Sequence, residues 1–299
     1  MIELRQRDGA TLGLAYGGDT LNTAVYLARV NPPGRLAVDY VTALGDDPYS
    51  DAMIEMWRRE RLGTANVARL KGKLPGLYLI RVDDKGERRF FYYRSAAAAR
   101  ELFRDEATAA QLASLAGYDL LYFSAITLSI LSEAARDRFF ERLVEARKAG
   151  RRVAFDSNYR PAGWPDVATA QAVIGRFLAA VDIALPTFED ERNLFGDRHP
   201  TATAERYAAH GVGEVVVKTG AEGCLTLRDG NFGVVAVPEP VVPIDTTAAG
   251  DAFNAGYLSS RLAGQAVERA AQAGHRLAAA VIRHPGAVIP HEATPELEL

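Results

Sequence analysis

Short apolar, β-branched runs alternate along the chain with longer stretches in which apolar residues recur every three or four positions. The first pattern suits buried strands and the second amphipathic helices. Their alternation predicts an α/β fold, a mostly parallel central sheet flanked by helices. Strands are predicted at 37–43, 119–124, 152–155, 181–185, 215–218 and 224–227. Helices are predicted at 20–29, 49–61, 133–148, 167–179, 189–195, 202–209, 251–262 and 266–282. End signals agree with these spans: Asp19 can cap the first helix, Ser132 can cap the third, and Gly150 closes it.

One stretch breaks the rhythm. Residues 77–82 and 87–94 read as two strands around Asp83-Asp-Lys-Gly86, a hairpin with a four-residue loop. A hairpin rich in aromatics and arginines inside an α/β chain is either a plain surface hairpin or a lid.

At 299 residues, the chain can bury one large core or two smaller ones. The net charge of -3, with both signs interspersed, argues against nucleic-acid and membrane partners. A single cysteine, Cys224 in a predicted strand, excludes an intrachain disulfide and points to inert burial. No apolar run is long enough to span a bilayer and no signal-peptide pattern opens the chain, so the cytoplasm is expected. The five histidines show no metal-ligand spacing, and His275 reads as a surface residue or as one near a nucleotide base. A P-loop is absent.

The chemistry concentrates in a few segments. Asp245-Thr-Thr-Ala-Ala-Gly-Asp251 runs into a predicted helix, placing small residues where backbone N–H groups can meet an anion. Asp251 in the first turn is either a helix-end charge or a base that accepts a proton from an attacking hydroxyl. Tyr16-Gly-Gly-Asp-Thr-Leu-Asn22 is a second turn-to-helix junction that can face a polar ligand, or simply start a helix. Tyr78 and the run Tyr92-Tyr-Arg94 lie on opposite hairpin strands, where arginine suits a carboxylate. Phe155-Asp-Ser-Asn-Tyr-Arg-Pro161 ends a predicted strand, where ligands gather in open α/β sheets, or is simply a strand turn capped by Asp156. Leu185-Pro-Thr-Phe-Glu-Asp190 and Val215-Val-Val-Lys-Thr-Gly-Ala-Glu-Gly223 read, on their own, as a helix start and a strand turn.

Taken together, these segments resemble the ribokinase-like (PfkB) carbohydrate kinases over nearly the whole chain. The C-terminal segment is similar to the family's D-T-x-G-A-G-D signature, with Ala248 where most members have glycine. The form Asp-Thr-Thr-Ala-Ala-Gly-Asp looks like that of 2-keto-3-deoxygluconate kinases. The resemblance implies one ribokinase-like domain over 1–299, with a β lid from about 72–96 and strands near 1–16. It implies ATP and Mg²⁺ as cofactors and phosphorylation of an acid sugar at its 6-hydroxyl. By resemblance Asp251 is the base, with Ala248, Ala249 and Gly250 forming the anion turn. Gly17, Gly18, Asp19, Asn22, Tyr78, Tyr92, Arg94 and Arg160 are implied to hold the sugar acid. Asn158, Arg160, Lys218, Thr219, Gly220, Gly223, Ala249 and Gly250 are implied to border the nucleotide. Asp190 stands where the family has glutamate, one methylene shorter, so any metal contact would run through water. Thr187 replaces the family's asparagine.

Exposed lid strands need cover, which makes a homo-oligomer through the lid an expectation. Two alternatives stay open: a kinase for another sugar, such as fructose, ribose or an epimeric keto-deoxy acid, and a non-catalytic sugar-binding protein on this fold. Family members also carry an apolar strand ending in Gly-Glu ahead of the position of Met1. A mis-set start or truncated chain lacking it is expected to leave backbone groups and apolar side chains inside the sheet unmatched.

Overall fold

The computed structural model describes residues 1–82 and 88–298, so the expected hairpin loop at 83–86 lies outside the described residues. Strands β1 (Ile2–Asp8) and β2 (Thr11–Tyr16) form an antiparallel pair before helix α1 (Asp19–Val30). Then come β3 (Val38–Asp39), β4 (Thr42–Gly45), α2 (Pro48–Arg59), β5 (Leu62–Gly63), β6 (Val67–Leu70), β7 (Leu77–Val82) and β8 (Arg88–Tyr93). The middle of the chain supplies α3 (Ala109–Ser114), β9 (Leu120–Ser124), α4 (Ala125–Ile130), α5 (Glu133–Lys148), β10 (Arg152–Asp156) and α6 (Val167–Leu178). The last third adds β11 (Ile183–Ala184), α7 (Phe188–Phe195), α8 (Pro200–Ala209), β12 (Glu214–Lys218), β13 (Cys224–Arg228), β14 (Asn231–Val235), α9 (Ala249–Leu262) and α10 (Val267–Val281).

The six-stranded sheet runs β14-β13-β12-β11-β10-β9, parallel from β9 to β12 and antiparallel at β13 and β14. Val215, Val216, Val217, Ala154 and Phe155 are fully buried, which is why these runs carry no polar alternation. A separate four-stranded sheet, β2-β1-β7-β8, pairs the hairpin strands with the N-terminal pair. One of its faces leaves Leu12, Leu14, Phe91 and Tyr93 exposed.

The expected strand over 37–43 is split into β3 and β4, which pair only with β5 and β6. On their other side lies a slot of about 430 Å³, with Tyr40 and Val41 on one wall and Leu121, Phe123 and Phe139 on the other. β9, across that slot, is the last strand of its sheet. Two strand edges thus face each other with no strand between them among the described residues.

Helices α9 and α10 pack unusually closely. A methyl group on Gly256 would meet the Ala273 carbonyl at 2.7 Å, and one on Gly274 would meet the Phe253 ring at 2.8 Å. Glycine is needed at both positions because two backbones approach there. Helix α5 starts on the Ser132 hydroxyl, which accepts from the Ala135 amide at 3.3 Å. By contrast, Asp19 is the first helical residue of α1 and does not cap it; Gly18 holds that place and the aspartate side chain points elsewhere.

Candidate active site

Asp251 sits in the first turn of α9 and is 8% exposed. Its carboxylate accepts from Asn22 Nδ2 at 2.8 Å, and Asn22 Oδ1 accepts from the Gly18 amide at 3.3 Å. The two predicted turn-to-helix junctions, more than 220 residues apart in sequence, are therefore joined through one asparagine. Burial pushes the Asp251 carboxyl up to about 8, reinforced by the nearby charge of Asp19 and opposed by the Asn22 hydrogen bond.

Freed from capping, Asp19 accepts from the Ser124 hydroxyl and, at 3.5 Å, from Asn158 Nδ2. Burial raises its carboxyl as well, with Ser124 opposing. A cavity of about 120 Å³ is lined by Gly18, Asp19, Tyr40, Arg94 and Thr127. Asp251 stands one side chain back from it, through Asn22. Arg94 lies over the Tyr92 ring at 4.5 Å, and Tyr92 neighbours the Tyr78 ring at 6.1 Å. The hydroxyl of Tyr78 is given to Glu3, a buried carboxylate that sequence reading did not single out. Tyr78 is also the nearest side chain to Gly17, 3.1 Å from where a methyl group would sit.

The turn before α9 is held by Asp245, which is 2% exposed. Its carboxylate accepts from the amides of Thr247 and Gly286, both at 2.8 Å, and from Arg5 Nη2 of the lid at 3.2 Å. Ala248 adopts φ 61°, in the left-handed region, and the Ala249 amide bonds the Thr246 carbonyl at 3.2 Å. Alanine bears a steric cost at that φ which glycine would not.

Other expected residues are arranged differently. Arg160 is half exposed and pairs with Asp190 at 3.1 Å, while burial raises the Asp190 carboxyl. Thr187 precedes α7 without a side-chain capping bond. Thr219 bonds the Gly223 carbonyl at 2.9 Å, closing the β12–β13 turn on itself together with Gly220. Gly223 is required by packing, since a methyl group there would meet the Val235 carbonyl at 2.2 Å. Lys218 is buried and donates to Asp156 Oδ1 at 3.3 Å and Asn254 Oδ1 at 2.9 Å. Asp156 caps its turn as expected, accepting from the Asn158 amide at 3.3 Å, but its pairing with Lys218 and Asn254 was not foreseen, because only the folded topology brings β10, β12 and α9 together. His275 is buried, with a ring nitrogen 3.2 Å from the Val235 carbonyl, so the surface reading is corrected. Cys224 is buried and its thiol is pushed up to about 12, as an inert side chain should be.

Among the described residues no cluster of three or more acidic, histidine or cysteine side chains forms a metal cage, and no helix is long and apolar enough to cross a membrane. Asp190, the carboxylate expected near a metal, is paired with Arg160, so a divalent ion would rest chiefly on phosphate oxygens and water.

A six-stranded mixed sheet flanked by helices, with a separate small β sheet that carries Tyr78 and Tyr92, is the fold of the ribokinase-like sugar kinases. Residues 4–294 match the model of the pfkB family of carbohydrate kinases, and the chain belongs to that family. It is 46% identical over 299 residues to 2-dehydro-3-deoxygluconokinase of Escherichia coli K12, covering 99% of this chain and 96% of that protein. It is 44% identical to the protein of the same name from Dickeya dadantii, with the same coverage. In structure it resembles 2-dehydro-3-deoxygluconokinase of Thermotoga maritima, with TM-score 0.82 at 22% identity over 97% of this chain and 92% of that one.

Proposed function

We propose that this kinase transfers the γ-phosphoryl group of ATP to the 6-hydroxyl of 2-dehydro-3-deoxygluconate in the cytoplasm. The observation that carries the reading is the Gly18–Asn22–Asp251 chain, which links a buried carboxylate, one side chain back, to a cavity lined by Gly18, Asp19 and Arg94. Identity of 40–46% to relatives carrying that enzyme name supports the choice of substrate.

In this reading Asp251 takes the proton of the attacking hydroxyl, and its raised proton affinity suits an alcohol donor better than an ordinary carboxylate would. Asn22 orients the carboxylate oxygen that does so. The Gly250 and Asp251 amides, with the positive end of α9, stabilise charge developing on the transferred group. Asp19 accepts a sugar hydroxyl bond, Arg94 meets the carboxylate, and Arg160 shifts from Asp190 to the incoming phosphate or acid. Mg²⁺, when bound, would neutralise the phosphates, and Asp190 would help to hold it through water. Asn158, Thr219 and Gly220 border the nucleotide. The exposed Leu12, Leu14, Phe91 and Tyr93 face of the lid supports pairing of two copies there.

The test is ATP consumption against a panel of sugars and sugar acids. Turnover confined to 2-dehydro-3-deoxygluconate or its epimer is expected. Equal turnover of fructose or ribose would reject the substrate, and no turnover of any sugar would reject the activity.

A further inference from the structure

Against the first turn of α9 lies a closed polar triangle. Lys218 Nζ donates to Asp156 Oδ1 and Asn254 Oδ1, and Asn254 Nδ2 donates to Asp156 Oδ2 at 2.8 Å. Asn254 Nδ2 also donates to the Tyr122 hydroxyl at 3.0 Å, and the Thr23 hydroxyl lies 3.3 Å from both the Tyr122 oxygen and the Asp251 carbonyl, either of which can take its one proton. A methyl group on Gly250 would touch the Lys218 ammonium at 3.5 Å. Lys218 and Asp156 are both under a tenth exposed and their side-chain bonds are made to protein.

A buried lysine is costly unless paired, and a buried pair contributes little net stability compared with apolar packing. Retaining three polar groups in this place needs a reason beyond stability. We infer that Lys218 and Asp156 are positioning residues, an opposed pair of buried charges that acts on Asp251 through the first turn of α9 and does not contact the nucleotide. This extends the reading of Asp251 as base and revises the expectation that Lys218 lines the ATP site.

The charged groups facing Asp251 are Asp19 from α1, Asp156 from β10 and Lys218 from β12; the hydroxyls of Tyr26, Tyr40 and Tyr122 stay protonated. Asp19 and Asp156 hold the Asp251 proton on, whereas Lys218 and the Asn22 amide favour its loss. Lys218 and Asp156 therefore pull in opposite directions from one ion pair, so removing either member should shift the base, with opposite sign.

The test is the pH dependence of kcat/KM on whichever sugar the parent enzyme phosphorylates, measured for Asp156→Asn and Lys218→Met. Asp156→Asn should move the rising limb to lower pH, by about one pH unit, raising kcat/KM several-fold relative to its own plateau near pH 7. Lys218→Met should move it to higher pH, with about a tenfold loss at pH 7. KM for ATP should change by less than about threefold in both, since no contact with ATP is lost. Midpoints that stay put, or move in the same direction, overturn the proposal. So does a tenfold rise in KM for ATP with an unmoved midpoint in Lys218→Met, which would return Lys218 to the nucleotide site. If Lys218→Met fails to fold, Asp156→Asn and Lys218→Arg decide: an acid shift in the first and a parental profile in the second are expected, and their absence refutes. Because the profile is read on any accepted sugar, loss of the acid-sugar assignment leaves this test intact.

Discussion

Replacing Asp251 by asparagine should slow the enzyme and stabilise the protein at the same time. The carboxyl rises from an ordinary 3.8 to about 8 because folding strips it of water. Each tenfold change in proton affinity is worth about 1.4 kcal/mol, so the ionised form costs the fold on the order of 5 kcal/mol above pH 8. Water entry on charging trims this, leaving a gain of about 2–4 kcal/mol for the amide. A group whose proton affinity is raised by folding stabilises the fold fully at low pH, below 3.8, and loses that contribution as pH climbs to about 8. Parent and Asp251→Asn should therefore melt together near pH 4. At pH 9 the variant should melt higher, by about 4–8 °C at roughly 2 °C per kcal/mol. Loss of the base should cut kcat by about 10²–10⁴, read in a coupled ADP assay. Near-parental turnover would refute the role of Asp251. A melting difference that is the same at pH 4 and pH 9 would refute the burial argument, whatever the activity does.

Four further outcomes follow from the same geometry. Asn22→Ala removes the amide bonded to Asp251 and should lower kcat about ten- to a hundredfold with little change in KM for ATP; an equal rise in both KM values would show only a distorted pocket. Arg94→Ala should raise KM for the sugar acid at least about tenfold by removing its carboxylate partner, while a parental KM would remove Arg94 from recognition. Ala248→Val puts a β-branched residue at φ 61° and should cost about 2 kcal/mol or more, seen as a lower denaturation midpoint; Ala248→Gly should stay within about 1 kcal/mol of the parent. In hydrogen exchange, alternate amides of β9 that face the slot should exchange far faster than those of β10; uniform protection would mean that the edge is covered.

Much of the framework was legible. Valine and alanine runs marked the buried parallel strands, and α5 emerged with its serine cap because both signals are local. Boundaries slipped where a neighbour decides them: the stretch at 37–43 broke because it is paired on one side only. The helices α3 and α4, of six residues each, were missed because one and a half turns carry too little periodicity to register. Within the site, Asp251, Asn22 and Asp19 could be singled out because each stands in a short segment with its own signature. Glu3, Arg5 and Asn254 could not, and Asp156 could be read only as the cap of its turn. Their importance rests on pairings between segments 36 to 240 residues apart, such as Arg5 with Asp245 and Lys218 with Asn254, which no local pattern encodes. Asp19 shows the converse error: it has the residue type of a cap, but Ser124 and Asn158 compete successfully for its carboxylate.

The paired glycines of α9 and α10 give the catalytic end of the molecule a distant control point. Gly256 lies five residues past Asp251, on the same rigid rod, and meets the Ala273 backbone with no room to spare. A single added carbon at Gly256 or Gly274 would wedge the two rods apart, and the tilt would be felt as a displacement at the proton acceptor. Attempts to toughen this enzyme by the usual glycine-to-alanine exchanges should therefore spare these two sites, where the loss of catalysis would arrive without any change to a residue that meets substrate.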